Sequence, residues 1–164
     1  VTWTWLPTTG NDVAAIVSMA QQHFENEIDT IFQPDPIAYA RNLTLATVHQ
    51  FYNPCAELLK VAKDAETGAI LAYTWAARGE RAPWSDNEMI SVRMAHVDMT
   101  LPTRQRLRLV TGMIVEWETW ARQCGVQVLC STTMRRDQEG FLAIHRKLGY
   151  DVRGSYAYKR LELT

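Results

Sequence analysis

Leu101-Pro102-Thr103-Arg104-Gln105-Arg106-Leu107-Arg108-Leu109-Val110 joins two different periodicities. Before it, Met89 to Met99 is an apolar run of strand length. After it, Leu107 to Gln123 is the longest helical pattern in the chain, with Leu109, Met113, Val115 and Trp120 on or near one stripe and Gly125 as its stop. A strand that turns tightly into a helix leaves the first helical N–H groups without intrahelical acceptors. With the positive end of the helix dipole, those groups make an anion site suited to a pyrophosphate. Arg104, Arg106 and Arg108 add full charges at alternate positions.

Working outward, Thr2 to Leu6 alternates Trp with Thr as a strand would, and Pro7 and Gly10 close it. Asn11 or Asp12 can cap a helix carrying Val13, Ile16, Val17, Ala20 and Phe24 at helical spacing. An acidic connection, Glu25 to Asp35, leads to a second helix from Pro36 to Phe51. Leu58 to Lys63, Ala69 to Ala77 and Met89 to Met99 form an antiparallel meander, with a turn at Glu66-Thr67-Gly68 and a polar loop from Gly79 to Asn87. After the long helix come a short strand, Val126 to Thr132, a helix from Asp137 to Leu148, and a last strand from Val152 to Leu163. The order β-α-α-β-β-β-α-β-α-β predicts a mixed α/β sheet with helices on both faces.

The 164 residues fit one domain, 1–164, with a single sizeable core. An apolar share of 47% and a charged share of 21% are those of a globular chain and exclude a disordered one. No apolar run is long enough to cross a bilayer, and the N-terminus lacks the pattern of a secretory leader. Cys55, Cys124 and Cys130 show no metal-binding spacing; reduced thiols in a cytoplasmic protein are the simplest expectation. Residues 1–100 hold 6 basic against 12 acidic side chains, and residues 101–164 hold 11 against 6. That asymmetry suits a cationic acceptor on one side and an anionic cofactor on the other, or simply solvated helix faces. A near-neutral total argues against a dedicated nucleic-acid binder. Of the six tryptophans, only Trp84, in the Pro83-Trp84-Ser85 loop, is placed to touch a ligand; the others fall at apolar spacing.

Two segments carry a resemblance. Phe141-Leu142-Ala143-Ile144-His145-Arg146-Lys147-Leu148-Gly149-Tyr150-Asp151-Val152 is similar to an aromatic-Glu-Lys-Leu-Gly-Phe helix ending. Leu101-Pro102 through Trp120-Ala121-Arg122 overlays a "Leu-Pro, phosphate loop, helix ending in Trp-Ala-Arg" pattern without a gap. In this order they resemble the GCN5-related N-acetyltransferase (GNAT) superfamily over nearly the whole chain. The resemblance implies the GNAT acyl-CoA N-acyltransferase fold, a central mixed sheet of about six to seven strands flanked by about four helices. It also implies acetyl-CoA as co-substrate, no metal, and transfer to a primary amine by direct attack. The family's Gln/Arg-x-x-Gly-x-Gly/Ala signature falls on Gln105, Arg106, Leu107, Arg108, Leu109 and Val110. Gln105 agrees, but Arg108 and Val110 stand where small residues are expected, so Arg108 either clamps a pyrophosphate or blocks it. Gly112 lies two residues too late to substitute.

By the same resemblance, His96 is the general base and Asp98 orients it or acts in its place; Met94, His96, Asp98 and Thr100 share one strand face. The competing expectation is a hydrogen-bonded core histidine. Backbone N–H groups at Met99, Thr100 and Leu101 would meet the oxyanion, Gln138 the pantetheine arm, and His145 would protonate the thiolate, unless it is a surface residue near the helix end. Tyr150, Tyr156 and Tyr158 are alternative donors. Glu25, Glu27 and Asp29 border the acceptor side. Cys130, on a buried strand, is not an activated nucleophile. A small-molecule or peptide amine is the expected partner, with a homodimer or an assembly subunit open. The rival expectation keeps the scaffold without its chemistry, as a silent binding or structural subunit.

Overall fold

The computed structural model describes residues 2–27, 32–134 and 138–154, with the side chains of residues 26 and 27 set aside. Its elements are β1 (Trp3–Pro7), a 3₁₀ turn (Gly10–Asp12), α1 (Val13–Glu27), α2 (Pro36–Tyr52), β2 (Glu57–Asp64), β3 (Ile70–Arg81), β4 (Glu88–Val97), α3 (Thr103–Gln123), β5 (Val128–Ser131) and α4 (Glu139–Lys147). The described strands form one five-stranded sheet in the order β1-β2-β3-β4-β5. All neighbours are antiparallel except β4 and β5, which α3 connects as a crossover. The expected sheet of six to seven strands is thus five among the described residues. In the last expected strand, residues 152–154 are irregular and 155–164 lie outside the described residues, with Tyr156 and Tyr158.

Central β3 reads Ile-Leu-Ala-Tyr-Thr-Trp-Ala-Ala because both its faces are covered, and Leu71 to Ala77 are all buried. On one face Ile16 and Ala20 of α1 and Leu43 and Ala46 of α2 pack on Leu59, Val61, Tyr73 and Trp75. On the other, Leu109, Met113, Ile114, Trp117 and Trp120 of α3 pack on Leu58, Ala62, Ala72, Ala76, Ile90, Val92 and Val97. Trp117 Nε1 donates to Thr74 Oγ1 at 2.7 Å, and Thr74 donates to the Met94 carbonyl at 3.0 Å, so the buried polar atoms linking α3, β3 and β4 are satisfied.

Several boundaries differ from the sequence reading. α3 starts at Thr103, four residues before Leu107, because Gln105 and Arg106 N–H already donate to the Pro102 carbonyl. Gln105 to Val110 are therefore helix and not loop. β3 runs on to Arg81, shortening the polar loop, because Arg78 holds Glu88 through two hydrogen bonds of 2.6 Å across the ladder. Asp12 reaches back to the Thr9 N–H and hydroxyl, each at 2.9 Å, and pairs with Lys63 at 2.6 Å. Gly112 is a contact glycine, since a Cβ there would stand 2.9 Å from Trp5 Nε1. The expectation of three reduced thiols is corrected too: Cys55, just after α2, and Cys124, at the end of α3, form a disulfide with Cα atoms 5.6 Å apart, leaving Cys130 as the thiol. Trp84 is 86% exposed, and Trp75, Trp117 and Trp120 are buried.

Candidate active site

β4 and β5 stay in parallel register only from Met89↔Val128 to Val92↔Ser131. At the next position the β3–β4 register slips: Trp75 faces Met94 while Ala76 faces Val92, which leaves Arg93 as an extra residue. A bulge bends and twists its strand, so β4 turns away where β5 ends. Residues 93–97 of β4 have a strand neighbour on the β3 side alone among the described residues. The buried Ser131 hydroxyl, with no hydrogen-bond partner, stands at this fork. The loop 98–102 then carries the chain into α3.

That loop is built by Asp98. Its N–H donates to the Leu71 carbonyl at 2.8 Å, and its Oδ1 accepts from the Thr100 N–H at 2.8 Å and hydroxyl at 2.7 Å. Leu101 N–H reaches the Asp98 carbonyl at 3.3 Å. Asp98 is thus a turn-forming residue, and the Thr100 and Leu101 amides are engaged rather than offered to an oxyanion. Exposed Met99 takes the Arg106 guanidinium on its sulfur at 3.5 Å, and the same guanidinium reaches Thr103 Oγ1 at 3.2 Å. Arg106 Nε is buried without a partner. Pro102 caps α3 with no side-chain hydrogen bond, and no acidic residue occupies the first turn. Cations at a helix N-terminus are unfavourable unless an anion joins them.

The rest of the expected phosphate loop disperses. Arg108 neither clamps nor blocks, since its guanidinium stacks 5.0 Å above the Trp3 ring on β1. Leu109 is fully buried under the sheet, Val110 and Leu101 pack at that core's margin, and Leu107 is exposed. Gln105 is half-buried in the first turn of α3. Gln138 is the exposed N-cap of α4 and makes no side-chain capping bond.

His96 lies on the α1/α2 face. It is 8% exposed, its Nδ1 stands 2.7 Å from Tyr73 Oη, and Tyr73 Oη stands 3.0 Å from Tyr39 Oη. His23 of α1 stacks on it with centroids 4.2 Å apart and itself donates from Nε2 to the Val97 carbonyl at 2.9 Å. Phe24 closes another side edge-on at 5.9 Å. Tyr39 and Phe24 also line a cleft of about 300 Å³ between α1 and α2, with Val17, Gln21, Asp35 and Asn42. Tyr39, Tyr73 and His23 were missed in the sequence. His23 left a trace, three residues after Ala20 on the apolar stripe of α1; Tyr39 and Tyr73 left none, since their meaning depends on packing. Among the acidic candidates, Glu25 is exposed on α1, Glu27 ends α1 with a side chain outside the description, and Asp29 lies outside the described residues.

His145 belongs to the opposite face. It is 3% exposed among Phe141, Trp117 and Tyr150, with ring centroids 4.3, 6.1 and 5.0 Å away, so it is no surface residue. Nδ1 donates to the Phe141 carbonyl at 2.9 Å, and Nε2 is buried without a partner. Burial outweighs that one hydrogen bond and holds its pKa below the ordinary 6.5. The sheet separates it from His96, so the two do not form an acid–base pair. Above pH 6.5 the ring is neutral in both states, and its contribution to stability does not change with pH. Below pH 6.5 the unfolded chain binds the extra proton, and stability falls with pH until the folded ring titrates, by up to about 1.4 kcal/mol per unit. Denaturant unfolding of wild type and His145→Phe between pH 5 and 7 should show a steeper loss of stability with falling pH in the wild type; parallel curves would refute the assignment.

No protein-family model and no curated protein matches the sequence. Solved structures match throughout its length. An aminoglycoside antibiotic 6'-N-acetyltransferase from Acinetobacter baumannii superposes with TM-score 0.70 at 14% identity, covering 99% of this chain and 100% of that one. The fold is that of the GNAT-type acetyltransferases. A predicted acetyltransferase from Clostridium acetobutylicum, solved with acetyl-CoA, gives 0.68 at 16% identity over 99% and 96%. A transcriptional regulator from Bacillus halodurans gives 0.74 at 13% over 98% and 100%. Identities this low establish the GNAT-type fold alone. Among the described residues no helix is long and apolar enough to cross a membrane, and no cluster of three or more His, Cys, Asp or Glu is placed to hold a metal.

Proposed function

We propose that the protein moves an acetyl group from acetyl-CoA to a primary amine by direct attack in a ternary complex. One observation carries this reading: β5 leaves β4 at the Arg93 bulge, and α3 opens at the far end of the strip so bared. An extended arm along residues 93–97 would meet backbone groups that have no second strand among the described residues, and a diphosphate would meet the first amides of α3 beneath Arg106. The acetyl-CoA carried by the Clostridium structure supports the same co-substrate here. Bound acetyl-CoA supplies an electrophilic thioester carbon. His96 accepts the amine proton as the N–C bond forms and the C–S bond breaks, and solvent protonates the thiolate, since His145 faces the other side of the sheet.

The rival reading, a silent subunit, draws on the buried His145 and on the regulator among the structural matches. We favour the enzyme because the fork and the uncapped helix are retained. The acceptor is a small-molecule or peptide amine; a homodimer remains part of the proposal only where the acceptor side stays open. The Cys55–Cys124 disulfide removes the thiol argument on which a cytoplasmic setting rested. Calorimetry with acetyl-CoA tests the reading. Wild type binds; Arg106→Glu weakens binding by about tenfold or more, as expected when a charge-assisted contact becomes a repulsion; Arg108→Glu changes it little. Absence of binding at millimolar ligand would leave only the scaffold.

A further inference from the structure

The cleft between α1 and α2 reaches Tyr39, but His96 is walled in. His23 covers one face of its ring, Phe24 and Tyr73 stand at its edges, and 8% of the residue is exposed. A base so enclosed needs a route for the proton. Tyr39 lines the cleft, its hydroxyl is 3.0 Å from that of Tyr73, and that hydroxyl is 2.7 Å from His96 Nδ1. Tyr73 and His96 are also cross-strand partners in the β3–β4 ladder, so the sheet itself fixes the inner link.

We propose that Tyr39 and Tyr73 form a two-hydroxyl relay that carries the acceptor's proton from the cleft to His96. The inference rests on the acetyl-transfer reading and adds the path. As the nitrogen bonds to the acyl carbon, its proton passes to Tyr39 Oη. The Tyr39 hydroxyl proton passes to Tyr73 Oη, and the Tyr73 proton passes to His96 Nδ1. Neither phenol is left charged, and His96 ends as imidazolium with its original proton on Nε2. Burial pushes the pKa of both phenols up, so they conduct protons and do not act as bases. Among the described residues, the titratable or charged groups around this path include His23 from α1, Tyr73 from β3, Tyr39 from α2 and Asp35 at the cleft rim.

The test uses the full chain with acetyl-CoA and a panel of primary amines. Tyr73→Phe and Tyr39→Phe should each lower kcat by about 10²-fold with KM for acetyl-CoA unchanged. The pH limb that reports His96 should flatten, and thermal unfolding monitors the fold of each variant. Nitrogen NMR of the wild-type ring should find Nδ1 unprotonated and bonded to a hydroxyl. A wild-type kcat and pH profile in both variants, or a proton resident on Nδ1, overturns the relay while leaving the transferase intact. A wild type that acetylates no amine overturns the transferase reading itself, and the relay with it.

Discussion

Under the proposed acetyl transfer, His96→Gln should lower turnover by about 10²- to 10⁴-fold, the range expected when a positioned general base is lost. Glutamine keeps a polar, hydrogen-bonding side chain beside Tyr73 but cannot take up a proton. The site is nearly closed, with His23 stacked at 4.2 Å and Tyr73 bonded at 2.7 Å, so bulk water is a poor substitute acceptor. Binding of acetyl-CoA should be little affected, because the His96 ring packs against His23 of α1 and makes no contact with Arg106 or the first turn of α3. The measurement is kcat against pH for both proteins at saturating acetyl-CoA. The wild type gains rate as the imidazole loses its proton, and the variant shows no such limb. A variant with wild-type turnover would return His96 to the role of a core histidine.

The second large effect is on stability. Cys55 and Cys124 are 69 residues apart in sequence, and their bond joins the connection between α2 and β2 to the end of α3. Closing a loop of that length removes unfolded-state entropy equivalent to about 4 kcal/mol, before any native-state strain. For a chain of this size the double replacement Cys55→Ser with Cys124→Ser should lower the unfolding midpoint by roughly 10 °C. Reductant should bring the wild type down to the same midpoint while leaving the double variant where it is. Three titratable thiols in the untreated folded protein would show that the bond does not form.

The segment around Leu101 was legible because its two flanks differ in period, and that contrast located the strand–loop–helix passage that organises the fold. It misplaced the helix start, since Pro102 can open a helix through its carbonyl, and propensity alone does not say where the first turn closes. The consequence is large: Gln105 and Arg106, which the signature overlay puts in a phosphate loop, already lie in the first turn of α3. Arg108 illustrates the limit well. Its charge is plain in the sequence, but its direction depends on Trp3, a residue over a hundred positions away that the sheet brings beneath it.

The sequence by itself determined the order of the described elements, the faces of the helices, and His96 as a polar ring on an apolar strand, because hydrophobic periodicity is a local property of the chain. Only the tertiary structure decided that β5 parts from β4 at a bulge, that Tyr39 and Tyr73 lead to His96, that His145 lies behind the sheet, and that two cysteines meet. Each of these depends on strand register and helix docking, which are fixed by how distant surfaces fit together and leave no periodic mark on the residues that make them.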